Sequence, residues 1–238
     1  MIKTYVAFDL ETTGLSEERD SIIEIGAVKV TDGKVTDRFM EFLKPAEEIS
    51  PMITQITGIT NEMVAHARNT KEVIDDFMGF CGEEVLLGHN ILFDYKFMKR
   101  YACKYQHSFE RRGIDTLKIA RKVHKDLESR SLEALCAQYQ IKNDAAHRAY
   151  HDALATAKLY HCLGHYFEEK EPNLFVPEPL FYQPRKEQPA TEKQKRYLEK
   201  LCGWHRIAVP EDLEAMTRSE ASRFIDRVIA KSGRMDLE

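Results

Sequence analysis

Three β-rich stretches joined by short turns open the chain, and that pattern stops near residue 44. Residues 3–9 form an apolar run with little alternation, the mark of a buried strand. "SIIEIGAVKV" (21–30) is rich in β-formers, "DGK" (32–34) is a turn signal, and "VTDRFMEFLK" (35–44) alternates. Short turns between strands predict an antiparallel three-stranded meander. From residue 51 the period changes. "PMITQITGIT" (51–60) holds a short helix and a glycine break, and "NTKEVIDDFMGFCG" (69–82) is an amphipathic helix capped by Asn69 or Thr70. "EVLLGHN" (84–90) is a short apolar strand, with Asn90 placed to cap a helix over about 92–105. "GIDT" (113–116) reads as a last strand end, before helices near 116–124, 131–139 and 150–168. Strands first, then alternating β and α, predict an α/β domain with a mixed sheet.

Five of the eight prolines fall in "EPNLFVPEPLFYQPRKEQPA" (171–190), which reads as an extended linker. The expected organisation is therefore a domain over 1–170, a linker over 171–190 and a small all-helical unit over 191–238. Thr191 caps one helix of that unit, and "TRSE" (217–220) is a capping box for another. The 238 residues suffice for one full core and a smaller second unit. No apolar run approaches the ~20 residues of a membrane span, and "MIKTYVAFD" carries no cleavable apolar core. The five cysteines are odd in number, scattered and never C-x-x-C. The expectation is a cytoplasmic protein with reduced thiols, no disulfide frame and no zinc site.

The end of the first strand poses a problem. In "YVAFDLETTGL" (5–15) Asp9 and Glu11 are two apart, so on a strand they share a face. An acid-x-acid pair arises by chance several times in a chain of this composition. Two carboxylates at the end of a buried run repel, however, and a divalent cation resolves the conflict. "GHNILFD" sets Asp94 in the first turn of a helix after a strand, where the helix dipole alone would favour an acid. "HRAYHDA" sets His147 five residues before Asp152. If the helix starts near Arg148 or Ala149, His147 lies on the preceding loop and can turn toward Asp152. His151 neighbours Asp152 on the helix and should point elsewhere.

The segments "FDLETTGL", "HNILFD" and "HRAYHDA", in this order, resemble the three motifs of the DnaQ-like (DEDDh) 3′–5′ exonucleases, and "QITGIT" (55–60) resembles a further family segment. The resemblance covers about residues 1–168. It implies an RNase H-like α/β fold with a five-stranded mixed sheet flanked by helices. It also implies a phosphodiester hydrolase working on nucleic acid 3′ ends with two divalent cations, Mg²⁺ or Mn²⁺. Such hard cations select carboxylate oxygens, which agrees with a site of Asp and Glu without cysteine. Carried over position by position, the metal-binding acids are Asp9, Glu11, Asp94 and Asp152, with Asp9 bridging, and His147 is the general base. Thr12, Thr13, Gly14 and Leu15 would meet the 3′-terminal nucleotide, with Phe93 nearby; for Leu15 and Phe93, simple core packing is the competing reading. Glu24, inside "IIEIGAV", reads as a buried acid with a structural hydrogen-bond role.

The net charge of −4 argues mildly against bulk nucleic-acid affinity, but its distribution is uneven. From Tyr95 to Lys125 ten Lys or Arg stand against two acids, with Tyr95, Phe97, Tyr101, Tyr105 and Phe109 interleaved. Such a stretch suits a phosphate backbone and stacked bases, or else is a solvated helix face with its aromatics in the core. Single-stranded or frayed DNA is the favoured substrate, with RNA, as for RNase T or oligoribonuclease, as the alternative and a non-catalytic binding module as the third. The resemblance implies either a polymerase or other replication protein as partner, or a free-standing repair or turnover nuclease.

Overall fold

In the computed structural model, which describes residues 1–143, 146–185 and 188–235, the first strand β1 (Tyr5–Thr12) is buried from Tyr5 to Phe8 on both faces. That double burial explains its unbroken apolar run. It pairs antiparallel with β2 (Ile22–Thr31), and β2 pairs antiparallel with β3 (Lys34–Phe42). Asp32 and Gly33 join β2 to β3, both with positive φ (51° and 77°). A two-residue turn of this kind matches the strand twist, which makes "DGK" the hairpin it resembles.

Helix α1 (Pro51–Thr57) is capped by Ser50 and ends at left-handed Gly58; α2 (Asn61–Val64) follows. Helix α3 (Thr70–Cys81), capped by Asn69, buries Phe77 against Phe8 of β1. Strand β4 (Leu86–Gly88) then pairs parallel to β1, and after α4 (Ile91–Lys104) strand β5 (Arg111–Asp115) pairs parallel to β4. Helices α5 (Thr116–Val123), α6 (Leu132–Gln138) and α7 (Ala149–Phe167) complete the other layer, with Tyr160 of α7 edge-on to Tyr5 at 5.5 Å. Tyr5 and Phe8 lie on opposite faces of β1, so helices cover both sides of the sheet.

The sheet has six strands, in the order β3-β2-β1-β4-β5-β6, not the five the resemblance implies. The sixth, β6 (Glu178–Leu180), falls inside the proline-rich stretch read as a linker and pairs antiparallel with β5. A proline-rich run can do this only at an edge, where Pro179 needs no N–H for a further neighbour. Leu180 packs over Gly113, where a Cβ would come within 2.8 Å of its side chain. A 3₁₀ turn at Pro172–Phe175 buries Phe175 in the α7-side core. Lys186, Glu187 and residues 236–238, parts of the expected linker and helical unit, lie outside the described residues.

The described residues divide into two compact units, Met1–Gln183 and Pro184–Glu238. In the second, α8 (Glu192–His205) and α9 (Arg218–Ser232) each begin with a reciprocal capping box, Thr191 with Gln194 and Thr217 with Glu220. Leu198, Cys202, Leu213, Met216 and Ala221 form its core. The five cysteines are free thiols. Among the described residues no helix is long and apolar enough to cross a membrane.

Candidate active site

The register of β1 against β2 sets two pairs on one face: Asp9 opposite Gly26, and Glu11 opposite Glu24. The missing side chain at Gly26 lets the start of α7 come down beside Asp9. A Cβ there would lie 1.9 Å from the Tyr150 nitrogen. Asp152, in the first turn of α7 and 8% exposed, is thereby brought over the strand end. Its carboxylate accepts from Asn143 Nδ2 at 2.6 Å and from the His147 N–H at 3.0 Å. His147 is on the loop before the helix, at φ +62°. One ligand atom each from Glu11, His147 and Asp152 lies within 4.8 Å of the others.

Asp94 approaches from the first turn of α4. It is 3% exposed and accepts the Leu10 N–H at 3.1 Å, which ties it to the backbone between Asp9 and Glu11. Asp9 and Asp94 flank the Glu11–His147–Asp152 group without being members of it. Asn90 stands at the head of α4 in a left-handed conformation and its side chain makes no capping bond, contrary to the sequence expectation. Asp115 takes its N–H instead, while also capping α5, because β5 ends beside β4. His151 lies against the Tyr150 ring and is not a member of the Glu11–His147–Asp152 group.

Four acids packed this closely disfavour their own ionisation. Burial, then the charge of Asp94, pushes Asp9 well above the usual carboxylate range, and burial does the same to Asp94. Burial, then Asp152 and Glu24, pushes Glu11 up to about 8, with Arg148 opposing. Burial raises Asp152 too, against the bonds from Asn143 and His147. The donor set is all oxygen plus one imidazole, and its charges repel one another; divalent hard cations fit both facts. A linkage follows. An acid whose native pKa is raised lends stability that is complete below its unfolded value and lost as pH rises through the native one. In chelator, the melting temperature should therefore fall between about pH 4.5 and about pH 8, the window set by Glu11. Mg²⁺ or Mn²⁺ should flatten that slope, and a chelated protein equally stable across the window would refute the electrostatic account.

The turn after β1 is held from within. Thr12 Oγ1 donates to Gly14 O at 2.7 Å, the Thr13 N–H goes to Ser21 O at 2.9 Å, and Thr13 Oγ1 accepts from the Ser21 N–H at 2.9 Å. Groups expected to be free for a nucleotide thus carry loop bonds. Asp20 fills the space beside Gly14, 2.5 Å from where a Cβ would stand. Leu15 is 86% exposed, which removes core packing as its role, while Phe93 is half-buried with its ring 5.1 Å from Phe97. In the basic stretch the core reading holds: Tyr95, Phe97, Tyr101, Tyr105 and Phe109 are all buried. Lys99 pairs with Glu110, and Arg111 and Arg112 donate to the Gly82 and Pro177 carbonyls.

Sequence reasoning missed Arg148, Asn143 and Gly26. Arg148 grips buried Glu24 with Nε 3.2 Å from each oxygen and one terminal nitrogen 2.8 Å from Oε1. The available signal was Glu24 itself, since a buried acid calls for a cation.

A family description for exonucleases (RNase_T) matches residues 6–160. DNA polymerase III PolC-type of Caldanaerobacter subterraneus subsp. tengcongensis is 42% identical over 156 residues, which are 66% of this chain and 11% of that one. The PolC-type polymerase of Bacillus subtilis is 38% identical over 159 residues, again 66% and 11%. The chain thus spans about a tenth of the length of the curated relatives it matches. Among solved structures, Exonuclease X in complex with 5′ overhanging duplex DNA is 27% identical with a TM-score of 0.56, covering 68% of this chain and 92% of that one. E. coli Exonuclease I in complex with a dT13 oligonucleotide, 20% identical, covers 73% of this chain and 43% of that one at a TM-score of 0.63, a likeness of fold.

Proposed function

The chain belongs to the RNase_T exonuclease family, and from that premise we propose that it removes nucleotides one at a time from the 3′ ends of single-stranded or frayed DNA. The observation that carries this reading is the gathering of Glu11, His147 and Asp152 beside Asp9 and Asp94 where parallel β1 and β4 end. The names of the relatives, DNA polymerases and an exonuclease bound to DNA, favour DNA over RNA.

Asp9, Glu11, Asp94 and Asp152 would hold two divalent cations, Mg²⁺ or Mn²⁺, which when bound supply Lewis-acid charge at the attacking and leaving oxygens. His147 takes the proton of the attacking water; its exposed imidazole beside Glu11 and Asp152 leaves it open to solvent for proton return. Asn143 and the His147 N–H both donate to the Asp152 carboxylate, which ties the histidine loop to the first turn of α7. Leu15, projecting from a loop pinned by Asp20 and Ser21, offers an apolar rest for the terminal base, with Phe93 on the α4 side. In proofreading such a site would work beside a polymerase; in repair or turnover it would work without one.

The test compares 5′-labelled single-stranded DNA and RNA with free or phosphorothioate-blocked 3′ ends, in Mg²⁺ and in chelator. A Mg²⁺-dependent ladder shortening from the 3′ end, slowed by the block and faster on DNA, is expected. Internal cuts, 5′ shortening or faster loss of RNA would replace the reading, and absence of products would leave a binding module. A chain ended after Gln183 should keep hydrolysis of short oligonucleotides within about threefold, because the acids and their supports all precede it. Ending it after Glu171 instead removes β6 from Gly113 and should lower the melting temperature. Equal loss of kcat in both truncations would give the second unit a direct part in hydrolysis.

A further inference from the structure

Glu24 is the fifth carboxylate of this neighbourhood, and it is fully engaged. It stands cross-strand from Glu11 on the same face, a pairing that brings Cβ atoms within ~4.5–5.5 Å. Its charge is felt at both Asp9 and Glu11. A carboxylate has about four lone-pair sites. Three contacts to Glu24 come from Arg148, and the fourth comes from the Ala149 N–H at 3.1 Å, the first residue of α7. The Phe42 ring lies 5.4 Å from the guanidinium carbon and steadies it. Glu24 is 3% exposed, so it has no water to replace these donors.

We propose that Arg148 is a positioning residue that saturates Glu24, keeping this acid out of the cation site while fixing the start of α7. The inference rests on the exonuclease reading for its kinetics but not for its cation binding. Without Arg148, Glu24 keeps one bond and has free lone pairs beside Glu11. It then becomes a surplus ligand that would tighten cation binding, while His147 and Asp152 lose their anchor. Loss of the Arg148 charge by itself also favours cations, because that charge acts on Glu11; Arg148→Lys, which keeps the charge and loses the fork, isolates the surplus ligand.

The experiment is a double-mutant cycle on the full chain, read by Mn²⁺ calorimetry, melting temperature, and kcat and KM on single-stranded DNA. Arg148→Met should tighten Mn²⁺ binding by about tenfold or more, as an added carboxylate does in oxygen-ligand sites. It should also lower kcat by about thirtyfold or more with KM changed under about threefold, since displacement of reacting groups by ~1 Å costs ~10²-fold. Glu24→Gln keeps an acceptor for the Ala149 N–H without a charge. Glu24→Gln with Arg148→Met should return Mn²⁺ affinity to within about threefold of the native chain and recover most of the kcat lost. Should Arg148→Met fail to fold, Arg148→Lys, which keeps the charge but loses the fork, should show the same tightening in smaller measure, again reversed by Glu24→Gln. Unchanged or weaker Mn²⁺ binding in the single variant, or a double variant as impaired as the single, overturns the proposal. A native chain that binds Mn²⁺ but degrades nothing refutes the exonuclease reading and leaves the calorimetric cycle standing.

Discussion

Replacing Asp9 by Asn should abolish hydrolysis while making the metal-free protein more stable. The carboxylate is ringed by Asp94, Glu11, Asp152 and Glu24, and each of these raises the cost of its charge. Asn has the same shape without the charge, so in chelator at pH 8 the melting temperature should rise. The scale is roughly 2–4 °C for each kcal/mol of repulsion removed in a chain of this size. Hydrolysis should fall by at least about a thousandfold. Charge stabilisation by bound cations is worth several kcal/mol, and each 1.36 kcal/mol is about tenfold in rate. The two outcomes test different links. Residual activity above about a tenth of native would place the chemistry elsewhere, while a lower melting temperature in chelator would deny the repulsion.

Gly26→Ala should be the most damaging single methyl group in the molecule. The added Cβ would meet the Tyr150 nitrogen at 1.9 Å and the Ala149 carbonyl carbon at 2.1 Å. These are backbone atoms, so no side chain can turn away, and α7 itself must move. Overpacking of this kind costs about 1–3 kcal/mol or more, a fall of roughly 2–12 °C in melting temperature. The move is transmitted to Asp152 and His147, and a shift of ~1 Å at reacting groups costs ~10²-fold in rate. Gly79→Ala is the matched control. That glycine lies on the exposed face of α3 with nothing within 4 Å of the new atom, and alanine should stabilise the helix by roughly 0.5–1 kcal/mol. Equal effects of the two substitutions would show that close approach at Gly26 does not govern the site.

What could be read from the sequence was local. The Asp-Gly turn, the Asn69 cap and the Thr217–Glu220 box each depend on residues within four positions, and each is present. The spacing of Asp9 and Glu11, and the placement of His147 on the loop before α7, are likewise local facts. What could not be read joins distant residues. Glu24 and Arg148 are 124 positions apart, so the buried acid was visible and its partner was not. Gly26 looks like any strand glycine until α7 is laid on it. Strand β6 has three residues, one of them Pro179, and follows Pro177; only pairing with β5 makes it a strand. The basic, aromatic stretch stayed open between two readings for a related reason: composition cannot tell which face of α4 is covered.

The two ends of the sheet have a consequence for the chain's life in a crowded solution. An open sheet is a template on which another chain can add a strand, and long flat edges seed aggregation. Here one outermost strand is three residues long and carries Pro179, which offers no amide hydrogen to an incoming strand. The opposite one, β3, is nine residues long, but Lys34, Asp37, Arg38 and Glu41 set charges along it, and a register irregularity lies in its pairing at Lys29/Val30. The sheet is thus closed to strand addition by backbone chemistry at one margin and by charge at the other, without need of a barrel.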